Sequence, residues 1–205
     1  MAENKDKVRE VFHDAYDWIK SEHYSSYDVC DITALPLYQG LQELNNSKSY
    51  GKYIYAPFYH LYRRAPGLIR SVSGVKKNSY PQAYALIATA LISYIKIEEN
   101  ASYKEDLFQI LEILEDSNSA DGKYKAWGQP YNWYSRRRIP AHTPRTTVTT
   151  QVAQSFLDAF DFFKDEKYLE LARQAGNFMI DKMKWDQDAD GDVCFPYTSL
   201  DQYHI

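Results

Sequence analysis

Residues 147–184 read TVTTQVAQSFLDAFDFFKDEKYLELARQAGNFMIDKMK, and their spacing decides the fold class. Val148, Val152, Phe156, Phe160 and Phe163 recur at helical steps and fall on one face. Leu169, Ala172, Gly176, Met179 and Met183 form a second helical stripe. The polar break Lys164-Asp165-Glu166-Lys167 separates them, with Asp165 placed to cap the second helix and Glu166 in its first turn. The stretch therefore reads as an antiparallel helical hairpin.

The same unit occurs upstream. Ala83, Ile87, Leu91 and Ile95 make one stripe, and Leu107, Ile110, Leu111 and Leu114 the next. Ser102 and Glu105 have capping-box spacing. Aligning Tyr103-Lys104 with Tyr168-Leu169 also aligns Ala88 with Ala153, a repeat of 65 residues. Val8, Val11, Phe12, Ala15, Trp18 and Ile19 mark an N-terminal helix, with a partner expected near residues 34–44. Segments 47–80 and 117–146 read as long irregular connections rich in rings, Pro, Gly and Arg, and loops of that length tend to carry function. The expectation is a single all-α domain over residues 1–205, built of repeated antiparallel helical hairpins with long loops on one face.

Two cysteines among 205 residues exclude a disulfide scaffold. No apolar run reaches the length of a membrane span, and the first residues lack the apolar core of a secretory signal, so a cytoplasmic protein without a membrane partner is expected. A pI near 5.7 argues against nucleic acid. Charge is nonetheless segregated. Residues 44–97 hold eight basic groups and no acid, and residues 121–150 are net +5, whereas the segments around them are acidic. Two basic segments could converge on an anionic ligand, or lie apart on a solvated surface. Tyrosine is the commonest residue, at 19, which suits either a ring-rich core or a cleft lined for sugar faces.

Residues 127–140, WGQPYNWYSRRRIP, are the densest stretch, with four rings and three guanidinium groups within a dozen residues. Trp127, Tyr131, Trp133, Arg136 and, just beyond, His142 are the candidate substrate-binding residues. Rings stack on sugars, and Arg takes carboxylate or phosphate in bidentate fashion. The alternative is a packed loop anchored on the two tryptophans. Acid–base candidates are Asp28, Asp31 and Asp201, with Tyr197 as a proton donor; each aspartate also reads as a loop or helix cap. Tyr27, His142 and His204 complete the titratable set. Asp186–Asp192 begins like a calcium loop, but Tyr197 stands where the bidentate Glu belongs, so a solvated turn is the better reading. No metal and no cofactor is expected.

Trp127-Gly128-x-Pro130-x-x-Trp133-x-Ser135-Arg136, then Ile139-Pro140, Pro144, Thr147-Val148-Thr149 and Phe156-Leu157-Asp158-Ala159, resembles a family of bacterial and archaeal α/α-toroid proteins of polysaccharide biosynthesis clusters. These are similar to six-hairpin glycosidases and to the glucuronyl C5-epimerase catalytic domain. Tyr27–Asp31 and Phe195–Asp201 extend the resemblance, although Ser26, Val29 and Cys30 stand where that family has Gly, Pro and Tyr. The resemblance implies a partial (α/α) toroid acting on an acidic polysaccharide or its precursor by hydrolysis, lyase chemistry or C5 epimerisation. A non-catalytic glycan-assembly module and a protein-binding α-solenoid are the alternatives. A closed toroid takes about twelve helices. The chain is accordingly expected to be incomplete at its C-terminus and to self-associate through an open array end.

Overall fold

The computed structural model of the protein describes residues 2–28, 30–98, 101–134 and 137–201. Eight α-helices occur among them: α1 (Ala2–Ser21), α2 (Pro36–Ser47), α3 (Gly51–Arg64), α4 (Pro66–Ser73), α5 (Pro81–Glu98), α6 (Lys104–Asp116), α7 (Thr146–Phe163) and α8 (Glu166–Lys182). Three antiparallel ladders of two residues per strand join β1 (Ser25–Ser26) to β2 (Asn78–Ser79), β3 (Trp133–Tyr134) to β4 (Arg138–Ile139), and β5 (Asp186–Gln187) to β6 (Val193–Cys194). No described helix is long and apolar enough to cross a membrane.

The helices pack in pairs. α5 packs on α6 and α7 on α8, and the two hairpins meet through α5 and α7. The 65-residue repeat is kept at the level of the backbone, since Pro81–Glu98 shifted by 65 gives the bounds of α7, Thr146–Phe163. The shared core holds Leu91, Ile92, Leu107, Ile110, Leu111, Leu114, Val148, Val152 and Phe156, all fully buried. Burial of such side chains is worth about 1.5–3 kcal/mol each and dominates the stability of the array. Asp165 caps α8 as its position suggests, its Oδ1 accepting from the Lys167 amide at 2.9 Å. On α6 the cap residue is Tyr103, and Ser102 lies in a short 3₁₀ turn before it.

Three expectations are corrected. α1 does not pair with the helix near residues 34–44. Its Phe12 ring stacks on Tyr94 of α5 at 3.8 Å, and its Tyr16 hydroxyl donates to Asp106 of α6 at 2.8 Å. Segment 47–80 is not an irregular loop but largely the helices α3 and α4. α3 escapes a periodicity reading because rings and aliphatic groups occupy both its faces and Pro57 sits inside it. On α8 the buried stripe runs through Tyr168, Leu171, Ala172, Ala175, Phe178 and Met179, so Gly176 faces solvent. The described helices do not close into a ring.

Candidate functional site

Three chain segments that are far apart in sequence meet beside the start of α7. Pro144 and Arg145 run between two backbone neighbours. Gly128 bridges to Pro144 and the Arg145 amide donates to Trp127 O at 3.0 Å, while Arg145 bridges to Thr198 on the other side. Gly128 is required here, because a Cβ at this position would lie 2.1 Å from Thr143 O. Gly128→Ala is expected to destabilise the fold by about 1–3 kcal/mol, read as a lower denaturant midpoint.

Arg145 sits at the centre. Its residue surface is 7% exposed, and its Nε is buried without a hydrogen-bond partner. Its guanidinium carbon lies 4.2 Å from the centre of the Trp133 ring and 5.5 Å from that of Tyr197, and the two rings meet edge to face at 5.7 Å. Such stacking holds the cation in place but leaves its charge unanswered. No carboxylate pairs with Arg145 among the described residues. Positive charge is concentrated further by the N-terminus of α7, where Arg145 occupies the N-cap position without a side-chain capping bond.

Asp28 and Tyr131 form a second group, near enough for Arg145 to act on the Tyr131 phenol electrostatically but not in contact with it. The Tyr131 hydroxyl donates to Asp28 Oδ1 at 2.8 Å, and the same oxygen accepts from the Cys30 amide at 2.7 Å. Among the described residues Asp28 Oδ2 takes no hydrogen bond from an N–H or O–H group, and the Cys30 thiol lies against the carboxylate. Burial first, then the bond to Asp28, raises the Tyr131 phenol far above its ordinary pKa, with Arg145 pulling the other way. Tyr131 is therefore a neutral proton donor at any physiological pH. Burial, and then the charges of Asp28 and Asp31, push Tyr80 up to about 12. Partial burial and the Asp28 carboxylate likewise raise the Cys30 thiol against the pull of Arg145, so it is a poor nucleophile.

Asp31 is committed elsewhere. It opens a 3₁₀ turn, is almost fully buried, and is gripped by Arg70 through three contacts of 3.0–3.2 Å. Arg70 also donates to Asp28 O at 2.7 Å, so this pair fixes the loop that carries Asp28. Asp31→Asn is expected to cost about 1–3 kcal/mol and to loosen the Asp28–Tyr131 contact, read by denaturation and by the Tyr131 ring resonances. Asp201 closes its own turn, its Oδ2 accepting from the amide and hydroxyl of Thr198 at 2.9 Å each, with Arg137 at 3.8 Å from Oδ1. Asp201 thus takes the capping reading and Asp31 is held in an ion pair, so neither is a free acid or base, while Asp28 also closes a local turn through the Cys30 amide.

The ring candidates divide. Trp133 and Tyr197 are placed together, while Tyr131 is held on Asp28 and meets the Tyr80 ring at 6.1 Å. Trp127 is wholly buried in the hydrophobic core, its Nε1 donating to Leu114 O at 2.7 Å, so its ring has no face for a sugar and that expectation is corrected. His142 adopts φ 61 and exposes its ring, and only its amide is engaged, with Gln129 O. Arg136 and His204 lie outside the described residues. Arg137 and Arg138 are half exposed and face Asp201 and Glu43. Arg145 was not among the sequence candidates. Its one sequence signal was its place between Pro144 and a helix start, equivalent to Tyr80 in the 65-residue repeat.

The Asp-rich segment 186–192 is a turn in which Asp188 Oδ1 accepts from the amides of Asp190 and Asp192. Among the described residues no group of three His, Cys, Asp or Glu side chains is placed to hold a metal ion. Comparison with known proteins leaves the site without an assignment: no family model and no curated protein matches the chain.

Proposed function

We propose that the protein binds an acidic saccharide, or its precursor, through Arg145 and modifies it with Asp28 and Tyr131. One observation carries this reading: a guanidinium with its Nε buried and no carboxylate partner among the described residues, set against two aromatic rings and within electrostatic range of a hydrogen-bonded carboxylate–phenol pair. A sugar carboxylate would supply the missing anion, and Trp133 or Tyr197 a surface for the apolar sugar face. Two-carboxylate hydrolysis is poorly supported, because Asp31 and Asp201 are each tied to partners within the protein. Proton transfer at a carbon beside the bound carboxylate suits the pair better. Asp28 would take the proton, and the Tyr131 phenol, hydrogen-bonded to its other oxygen, would hold the carboxylate in place. That chemistry is shared by C5 epimerisation and by lyase action, and the 65-residue repeat supports the (α/α) toroid reading that accompanies it.

The test is calorimetric titration with a uronic-acid oligosaccharide, its carboxyl-reduced neutral counterpart and a phosphorylated sugar, followed by NMR in deuterated water. Binding of the acid but not the neutral sugar, with deuterium entering beside the carboxylate, is expected. Acid-selective binding without exchange would favour a non-catalytic glycan module. Equal affinity for acid and neutral sugar, or none for either, would overturn the reading.

A further inference from the structure

The eight cations of residues 44–97 are not all answered from elsewhere in the fold. Arg70 meets Asp31, Lys77 meets Glu22 and Lys96 meets Asp161. Lys48, Lys52, Arg63, Arg64 and Lys76 are exposed and have no carboxylate partner among the described residues. All five lie on or beside α3 and α4; at about 100° per residue Arg64 flanks Pro57 and Leu61, while Lys52 and Arg63 stand on the opposite flank of the exposed side of α3.

α3 is apolar on two sides. Its inner side, Tyr55, Phe58 and Tyr62, packs with Tyr38 of α2 at ring separations of 5.9–6.0 Å. Its outer side presents Tyr53, Ile54, Pro57 and Leu61 to solvent, Tyr53 being 72% exposed. On α4, Leu68 and Val72 stand one turn apart and outward, Val72 being 82% exposed, while Ile69 turns inward. A helix with a covered apolar side and a second, uncovered one is built to meet something.

We propose that α3 and α4 dock on the surface of a membrane rich in anionic lipids, their aliphatic side chains entering the headgroup region and the five cations meeting lipid phosphates. This goes beyond the saccharide reading and does not depend on it. It sets aside the expectation of no membrane partner, which rested on the lack of a spanning run. Charge and apolarity together select the occupant. A second copy meeting this face symmetrically would set unpaired cations against their own kind. A soluble polyanion would answer the cations but leave Ile54, Leu61, Leu68 and Val72 in water. An anionic bilayer surface answers both.

Co-sedimentation of the 205-residue chain with vesicles of phosphatidylcholine, alone or mixed with phosphatidylglycerol, tests this. Binding is expected on the mixed vesicles only and should weaken with salt. Each neutralised cation in the series Lys52→Gln, Arg63→Gln, Arg64→Gln should lower partitioning about fivefold. Leu61→Ser with Leu68→Ser and Val72→Ser should lower it at least about tenfold with the helical circular dichroism unchanged. Should that triple variant unfold, the charge series decides alone. No sedimentation with mixed vesicles, or equal sedimentation with neutral ones, overturns the proposal. So does a concentration-dependent dimer lost on Leu61→Ser, which would assign the face to a second copy. Binding of a soluble uronate polymer that is lost in the charge series without vesicle binding would assign it to a polyanion.

Discussion

Trp127→Ala is expected to lower the free energy of unfolding by about 3–5 kcal/mol, enough to leave a marginally stable domain largely unfolded at physiological temperature. The ring is wholly buried, lies 5.9 Å from Phe156 and donates its Nε1–H to Leu114 O at the end of α6. Truncation opens a cavity between the two hairpins and strands that carbonyl. Trp127→Phe keeps most of the volume and loses the hydrogen bond, so about 1–2 kcal/mol is expected. Urea unfolding followed by far-ultraviolet circular dichroism measures both. A cost below about 1 kcal/mol for the alanine variant would mean that Trp127 does not join the hairpins.

Arg145→Met is expected to move binding and stability in opposite directions. Affinity for an acidic saccharide should fall by one to two orders of magnitude, since charge-assisted hydrogen bonds contribute about 1.5–3 kcal/mol. The unliganded protein should keep or gain stability, because methionine packs against Trp133 and Tyr197 without burying the unpartnered Nε. The stacking lost is worth about 0.5–2 kcal/mol and limits the gain. Arg145→Lys retains charge but not the planar fork, so binding should drop while selectivity for the anion persists. Titration calorimetry and thermal melting on the same samples separate the effects. A clear loss of stability with unchanged binding would make Arg145 a structural residue and remove the main support for the proposed function.

Sequence periodicity by itself determined the helical hairpins. Val148 to Phe163 recur at the helix repeat whatever surrounds them, Asp165 caps through a neighbour two residues away, and α7 begins and ends where the 65-residue offset from α5 puts it. These are local relations, carried by backbone geometry and short-range hydrogen bonds. They fail where rings spread over much of a helix and a proline sits inside it, which is why α3 was hidden in an expected loop. The site was legible as a set of loops but not as roles. Trp127 and Trp133 share a motif, yet one is core and the other lies against the guanidinium, because only the tertiary fold seats Trp127 between Leu114 of α6 and Phe156 of α7. Asp28, Asp31 and Asp201 have one chemistry, yet Arg70 claims Asp31 from 39 residues away and Thr198 claims Asp201, leaving Asp28 to Tyr131. Which arginine stays unpaired is likewise a tertiary matter. A charge is free or satisfied according to which chain segment crosses it, and segments separated by a hundred residues meet here only because the hairpins bring their loops to the start of α7.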